Sequence, residues 1–134
     1  MRERALLART YRAITSSPAW KHTVLIVNFD EWGGFFDHVA PSIAPDVDAR
    51  FELRGFRVPA IVVSPYARRG AVASGIYDHT SILRMIEAQY DLAPLSARDA
   101  AAANIAEVLD LSNANLRAPQ YDVPDFSSPL CPIL

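Results

Sequence analysis

Cysteine is almost absent from this chain of 134 residues, since Cys131 is the only one. A single thiol excludes an internal disulfide and a metal cluster held by several thiolates of this chain. A strong excess of positive or negative charge is also lacking, because the chain has 13 basic and 15 acidic residues and a formal net charge of -2. A nucleic-acid partner, which favours a broad basic surface, is therefore not expected.

Long apolar runs are missing as well. No stretch reaches the roughly 18 apolar residues of a transmembrane helix, and residues 1–10 lack the apolar centre of a secretory signal. We therefore expect no transmembrane segment and no signal peptide in this chain, which leaves its location open. With 51% hydrophobic residues, the chain can form one domain with a core, or part of a larger one.

Three stretches have the residue pattern of helices. Apolar residues recur at helical spacing in residues 7–14. The Ser-Ser-Pro sequence that follows predicts the end of this helix, because proline cannot continue a helix. The same spacing appears in residues 78–90. A third helix is predicted over residues 96–109, where Ser96 and Asp99 form a capping pair ahead of an alanine-rich stretch.

Two short apolar runs, residues 23–29 and 58–64, are rich in β-branched residues and predict strands covered on both faces. With helices around them, they are typical of an α/β domain with a parallel sheet. Two strands leave sheet edges uncovered, so we expect the sheet to be incomplete unless a partner chain or a further part of a longer protein completes it. The proline-rich residues 113–134 predict an extended tail, packed on a surface or disordered.

An acidic pair, Asp30 and Glu31, follows the first predicted strand and precedes Gly33 and Gly34. In a continuing strand the two side chains would point to opposite faces, but a glycine turn lets them approach one cation. Carboxylates are ligands that hard divalent cations prefer. The pair therefore predicts a metal site, although a solvated strand end followed by an ordinary turn fits the same spacing.

Two aspartate-histidine steps lie further along the chain. Asp37 and His38 follow two phenylalanines, in a loop where an unpaired carboxylate or imidazole would be costly to desolvate. Asp78 and His79 stand where the second predicted helix begins, and the free amides there attract anions such as phosphate. Alternatively, Asp78 and Thr80 cap this helix and His79 is an ordinary packed or exposed side chain.

Other polar residues give weaker indications of chemistry. Ser64 ends a strand without the glycine-serine-glycine elbow of serine hydrolases, so a catalytic triad through it is not expected. Arg68 and Arg69 fit a solvated loop pair better than an anion clamp. His22 fits the entrance to a strand better than a ligand-binding role.

Three segments of the chain resemble a known family. They read TVLIVNFDEWGGFFDHVAP in residues 23–41, GFRVPAIVVSPYARRG in residues 55–70 and YDHTSILRMIE in residues 77–87. Together with SARDA in residues 96–100, they resemble the bacterial phosphoesterase family that includes phospholipases C of the non-haemolytic type and acid phosphatases. The resemblance covers most of residues 13–112.

The resemblance implies an alkaline-phosphatase-like three-layer α/β/α sandwich and a metal-assisted attack on a phosphoester. It implies that Asp30 and Glu31 bind the metal, whose identity stays open among magnesium, manganese, calcium and zinc. An oxygen pair alone suits the first three, and zinc would want nitrogen ligands as well. Asp37 and Asp78 would lie near the substrate. His38 and His79 would contact phosphate or protonate the leaving group.

The chain differs from the family pattern at two places. In the family, the hydroxyl nucleophile and further acidic ligands lie well before the Asp-Glu motif, whereas only residues 1–29 precede it here. Ala73, Ser74 and Gly75 also stand where many relatives carry a histidine. We therefore expect residues 1–112 to form the C-terminal portion of a phosphoesterase domain, followed by the tail.

Two functions fit this expectation. The first is a hydrolase of phosphoesters, including phospholipid headgroups, that is active only with the missing N-terminal half or in a self-oligomer. The second is a non-catalytic, truncated module that binds metal or a phosphorylated ligand without turning it over. Relatives are often exported, but this chain shows no signal of its own.

Overall fold

The computed structural model describes residues 2–122, so residues 123–134, which include Cys131 and most of the predicted tail, lie outside the described part. The chain is α/β in class, with three α-helices and a two-stranded sheet in these residues. The elements, in chain order, are α1 (Arg2–Thr15), a 3-10 helix (Pro18–His22), β1 (Leu25–Asn28), a 3-10 helix (Ala49–Phe51), β2 (Ala60–Val63), α2 (Thr80–Tyr90), α3 (Ala97–Ala100) and a 3-10 helix (Ile105–Val108).

The two strands pair antiparallel, so the predicted parallel sheet is wrong. Leu25 faces Val63 and Asn28 faces Ala60 across the ladder. A parallel pair needs a crossover connection that carries the chain back to the starting edge of the sheet, usually through a helix. Residues 29–59 instead contain a glycine turn, an isolated bridge and a short 3-10 helix, and they return the chain beside the end of β1.

Helix α1 forms as its apolar spacing predicts and ends at Thr15, just before the Ser-Ser-Pro sequence. The side chain of Ser17 then caps the next 3-10 helix by accepting a hydrogen bond from the Ala19 amide. This 3-10 helix buries Trp20, whose indole Nε1 donates to the carbonyl of Leu116 at 3.0 Å. The segment after residue 110 is therefore packed against the N-terminal part of the chain.

Helix α3 begins where the sequence predicts but is much shorter. The Ser96 hydroxyl accepts a hydrogen bond from the Arg98 amide, and the helix ends at Ala100. Asn104 then caps a separate 3-10 helix by accepting from the Ala106 amide at 2.9 Å. A single helix through Leu109 is thus wrong, because an asparagine side chain competes for backbone amides and favours a cap over a helix interior.

The buried core is small. Its apolar members in the described residues are Ala5, Trp20, Ala44 and Ile105, while 52% of Ile61 in β2 remains exposed. The strands are only partly covered, so the prediction that both faces are buried is wrong for this chain by itself. A two-stranded sheet needs further strands or helices to bury its faces.

Candidate functional site

The acidic pair lies just beyond β1, in a loop that bends sharply. Asp30 and Glu31 are exposed, and Gly33 and Gly34 have φ angles of 65° and 79°. These left-handed conformations suit glycine, so the bend that the sequence predicts is present. The Glu31 Oε2 atom accepts a hydrogen bond from the Gly33 amide at 2.9 Å, which orients this carboxylate within the turn.

A cavity of about 650 Å³ opens beside this turn. Of the acidic pair, only Glu31 belongs to the described residues that line it. The other walls are mainly aromatic and aliphatic side chains together with an aspartate-arginine pair; the lining residues include Phe29, Trp32, Phe35, Phe36, Asp37 and Arg57. Phe35 and Phe36 are 79% and 84% exposed, so the cavity is bordered by an accessible apolar loop.

Asp37 is paired with Arg57. The arginine Nε and Nη2 atoms donate to the two carboxylate oxygens at 2.7 and 2.8 Å, and the Arg57 amide donates at 3.2 Å. The hydrogen bond from the Arg57 side chain holds the pKa of Asp37 well below its usual range. His38 is next in the chain, with its side chain 86% exposed and its Nδ1 atom 3.6 Å from Asp37.

Asp78 both caps α2 and forms an ion pair. Its carboxylate accepts from the Thr80 amide at 2.9 Å and from Nε of Arg54 at 3.0 Å. The Asp78 amide in turn donates to the hydroxyl of the buried Ser81. Burial acts to raise the pKa of Asp78, but hydrogen bonds from Thr80 and Arg54 outweigh it and lower the pKa. Asp78 therefore accepts a hydrogen bond from an amide at the start of α2, as predicted, although the N-cap position itself is His79, whose side chain makes no capping bond. Thr80, the other predicted cap, instead donates its hydroxyl to Asp78.

His79 connects α2 to the end of β1. Its Nε2 atom lies 2.8 Å from the carbonyl oxygen of Phe29, the residue that immediately precedes Asp30. A carbonyl oxygen only accepts hydrogen bonds, so Nε2 carries the proton and Nδ1 is the nitrogen left for another partner. His79 is thus brought to the residue that precedes the acidic pair, 50 residues earlier in the sequence.

The predicted site residues therefore come together only in part. His79 reaches the strand end that carries Asp30 and Glu31, and Asp37 shares the cavity with Glu31. Within residues 2–122, no group of three His, Cys, Asp or Glu side chains is arranged to hold a metal ion. The metal-binding and substrate-binding roles of these residues stay predictions.

Two arginines that sequence reasoning did not single out, Arg54 and Arg57, contact the predicted site aspartates. A signal for them was available, because Asp37 in an apolar loop requires a partner. The cation had to come from elsewhere in the chain, and both arginines stand in the short segment before β2.

The other polar candidates lie elsewhere. Nη2 of Arg69 donates to the main-chain carbonyls of Asn115 and Arg117. Arg68 lines a second cavity, of about 520 Å³, together with Tyr77. In the part of the chain that the structure describes, no helix combines the length and apolar character needed to cross a membrane.

A model of the phosphoesterase family matches residues 2–93, which is more than half of the chain. The chain therefore belongs to the phosphoesterase family, as its motifs suggested. Phospholipase C A of Mycobacterium tuberculosis (strain ATCC 25618 / H37Rv) is 44% identical over 99 residues, covering 59% of this chain and 19% of the relative.

Two further relatives match more of the chain. Non-specific phospholipase C6 of Arabidopsis thaliana is 35% identical over 140 residues, covering 89% of this chain and 26% of the plant protein. Non-hemolytic phospholipase C of Pseudomonas aeruginosa is 32% identical over 145 residues, covering 86% of this chain and 21% of the relative. The chain thus spans about a fifth to a quarter of the length of these relatives.

Proposed function

We propose that this chain is the C-terminal portion of a metal-dependent phosphoester hydrolase, of the phospholipase C or phosphatase type. Its relatives are named phospholipases C, and it belongs to the phosphoesterase family. The observation that carries the proposal is the contact of His79 with the Phe29 carbonyl at 2.8 Å. This contact joins two of the family-like motifs at one end of β1.

In this proposal, Asp30 and Glu31 hold the metal. Their four oxygen atoms suit a hard divalent cation such as magnesium, manganese or calcium, whereas zinc would need nitrogen ligands as well. When bound, such a cation polarises a phosphoryl oxygen and stabilises negative charge in the transition state. The described residues offer no group of three His, Cys, Asp or Glu side chains for a metal, so further ligands would have to come from the proposed N-terminal half.

The histidines act on the phosphoester itself. With Nε2 of His79 donating to the Phe29 carbonyl, Nδ1 is the nitrogen left to face the phosphoester. Nδ1 accepts a proton in the neutral ring, and only the doubly protonated ring can donate from it to a phosphate oxygen or a leaving alkoxide. His38, which is highly exposed next to Asp37, is the second candidate for that role. Asp37 and Asp78 lie beside the substrate phosphate in this proposal, and phospholipid headgroups are included among the substrates.

The remaining part of the domain is proposed to complete an alkaline-phosphatase-like α/β/α sandwich. Both strands have one open edge in the described sheet, and Phe35 and Phe36 are largely exposed. An N-terminal half, in the same chain or as a partner, would cover such surfaces and supply the nucleophile.

Metal binding is tested with the chain alone. Calorimetric titration with manganese should give binding to the wild-type chain and at least a roughly tenfold weaker affinity after Asp30→Asn or Glu31→Gln, because each change removes a charged ligand. Glu107→Gln, at an exposed glutamate on the last 3-10 helix, is the matched control. Equal manganese affinity in all variants would contradict the metal site.

Turnover is tested with p-nitrophenyl phosphate and p-nitrophenyl phosphorylcholine in the presence of manganese or zinc. We expect hydrolysis when the chain is combined with the N-terminal part of Phospholipase C A of Mycobacterium tuberculosis, and loss of this hydrolysis after Asp30→Asn. The second candidate is a non-catalytic module that binds metal or a phosphorylated ligand. It predicts metal binding with no hydrolysis in any combination.

A further inference from the structure

One short segment holds both aspartate-histidine steps. Residues 53–59 lead into β2 and carry two arginines separated by Gly55 and Phe56. Arg57 binds Asp37, which lies 20 residues earlier, and Arg54 binds Asp78, which lies 24 residues later. Two motifs that are far apart in sequence therefore contact side chains of the same short segment.

The contact of Arg57 with Asp37 has two parallel hydrogen bonds, at 2.7 and 2.8 Å. The planar guanidinium matches a carboxylate in this arrangement, which fixes the angle between the groups as well as their distance. The Arg57 amide adds a third donor. Only 11% of the Asp37 side chain is exposed, so this carboxylate has little freedom to turn towards another ligand.

Arg54 donates hydrogen bonds to Ser42 and Ile43 in addition to its contact with Asp78. Its Nη1 atom donates to the Ser42 hydroxyl at 3.0 Å and to the Ile43 carbonyl at 2.8 Å, while Nε donates to Asp78 at 3.0 Å. The Arg54 and Asp78 side chains are only 19% and 17% exposed. Partial burial strengthens such a pair because fewer water molecules compete for it. The arginine therefore ties the beginning of α2 to residues 42 and 43.

We propose that Arg54 and Arg57 are positioning residues: Arg54 holds Asp78 so that His79 is presented beside the end of β1, and Arg57 holds Asp37 so that His38 has a fixed place next to it. The role of these histidines in catalysis rests on the function proposed above. In this arrangement Arg54 and Arg57 act on the histidines through Asp78 and Asp37. His79 is the more tightly placed of the two histidines, because its ring also contacts the Phe29 carbonyl.

The test is the placement of the His79 ring, measured in the absence of metal and substrate. The chain has three histidines, His22, His38 and His79, so their ring signals can be assigned by single substitutions. In the wild-type chain, nuclear Overhauser effects should connect the His79 ring to backbone protons of Phe29 or Asp30. We expect Arg54→Gln to abolish these effects in the folded protein.

Arg50→Gln is the matched control, since Arg50 forms an ion pair with Asp48 away from either aspartate-histidine step. It should leave the His79 effects unchanged. Arg54→Lys should retain part of them, because lysine keeps the charge but lacks the fixed fork of donors. If Arg54→Gln lowers the unfolding temperature but leaves the His79 effects at wild-type intensity, Arg54 is merely structural and the proposal is overturned.

Arg57 is tested in the same way through His38. Arg57→Gln should change the NMR scalar couplings that report the His38 rotamer, and Arg57→Lys should change them less. Couplings that are unchanged in both variants would overturn the role of Arg57. Arg54→Lys also keeps the proposal falsifiable if Arg54→Gln does not fold, since full loss of the His79 effects in a folded Arg54→Lys would contradict the graded result. Failure of manganese titrations would overturn the proposed function but would not affect these ring measurements.

Discussion

At the scale of single residues, Gly34 is a position where the backbone conformation alone decides what is tolerated. Its φ is 79°, and no atom lies within 4 Å of the place where a Cβ would stand. Gly34→Ala should therefore cost about 1 kcal/mol of unfolding free energy through backbone strain. Urea unfolding measures this cost.

Gly55→Ala is the control for that substitution. Gly55 likewise has no atom within 4 Å of an added Cβ, and its φ lies outside the left-handed region. Its replacement should be neutral or slightly stabilising, because alanine reduces the freedom of the unfolded chain. Equal effects of the two substitutions would show that the turn after Glu31 does not depend on a left-handed glycine.

Trp20 is the residue on which the packing of the C-terminal segment most depends. Only 7% of its surface is exposed, and its indole donates to the Leu116 carbonyl. Trp20→Ala should cost about 3–5 kcal/mol of unfolding free energy, whereas Trp20→Phe should cost about 1–3 kcal/mol, chiefly through the lost hydrogen bond.

Thermal or urea unfolding distinguishes these two substitutions. Trp32→Phe provides the comparison, since Trp32 is 42% exposed. This change should have a much smaller effect than either substitution at Trp20. A loss at Trp32 as large as that at Trp20 would contradict the assignment of the core.

For single residues, the sequence predicted some roles but not the partners that go with them. The need of Asp37 for a partner followed from its apolar loop, and the capping role of Asp78 followed from its place before α2. The identity of the partners did not follow. Arg57 and Arg54 lie 20 and 24 residues away, and only the path of the connecting loop decides which of several arginines reaches each carboxylate.

At the scale of elements, α2 and α3 meet at a buried pair of carboxyl groups. Glu87 on α2 is 5% exposed and Asp99 on α3 is 1% exposed. Asp99 accepts hydrogen bonds from the Leu95 amide and the Ser96 hydroxyl. Neither oxygen of Glu87 accepts a hydrogen bond in the described residues, although Nη1 of Arg84 lies 3.5 Å from Oε2 in an ion pair. A proton on Glu87 would supply the hydrogen bond between the two groups.

The pKa values of the two groups are shifted in opposite directions. The hydrogen bond with Asp99, together with burial, raises the pKa of Glu87 above its ordinary value of 4.5. The hydrogen bond from Ser96 lowers the pKa of Asp99 below its ordinary value of 3.8. Asp99 therefore adds stability above pH 3.8, which is lost as the pH falls through its folded pKa. Glu87 adds stability below pH 4.5, which is lost as the pH rises through its raised pKa.

Glu87→Gln tests this junction. A glutamine amide donates to Asp99 at every pH, so the variant should gain stability relative to the wild-type chain as the solution changes from mildly acidic to mildly alkaline. Unfolding temperatures measured across this range give the difference. The exposed Glu107→Gln should show no such trend. A difference between Glu87→Gln and wild type that stays constant with pH would contradict the shared proton.

Elements were predicted well where local rules decide and poorly where distant packing decides. The helical spacing before Ser16 and the β-branched runs placed α1, β1 and β2 near their observed positions. The direction of β2 relative to β1 depends on the route of residues 29–59, which carries no periodic pattern. The length of α3 depended on whether Asn104 would cap or continue a helix, and composition alone did not decide this.

At the scale of the whole molecule, the described chain has more apolar surface than partners to cover it. Large side chains from every part of the fold are more than half exposed; examples are Leu6, Phe36, Ile61, Val72 and Leu95. An uncovered strand edge next to apolar side chains is a template for pairing with another chain. Family membership was readable from the motifs, but what covers these apolar surfaces was not.

We therefore expect the isolated chain to associate with itself through the open edge of its sheet. Sedimentation velocity over a range of protein concentrations should show a rising proportion of dimers or larger species. Ile61→Lys should shift this equilibrium towards the monomer, because Ile61 lies in β2 with 52% of its surface exposed and a charged side chain opposes edge pairing.

Val72→Lys separates edge pairing from general apolar adhesion. Val72 is 91% exposed but lies in the loop after β2, outside the strands. If the sheet edge drives association, this substitution leaves the dimer equilibrium close to that of the wild-type chain. If both lysine variants weaken association equally, the edge has no special part in it. A chain that stays monomeric at all concentrations would show that its exposed strands do not pair without the rest of the phosphoesterase domain.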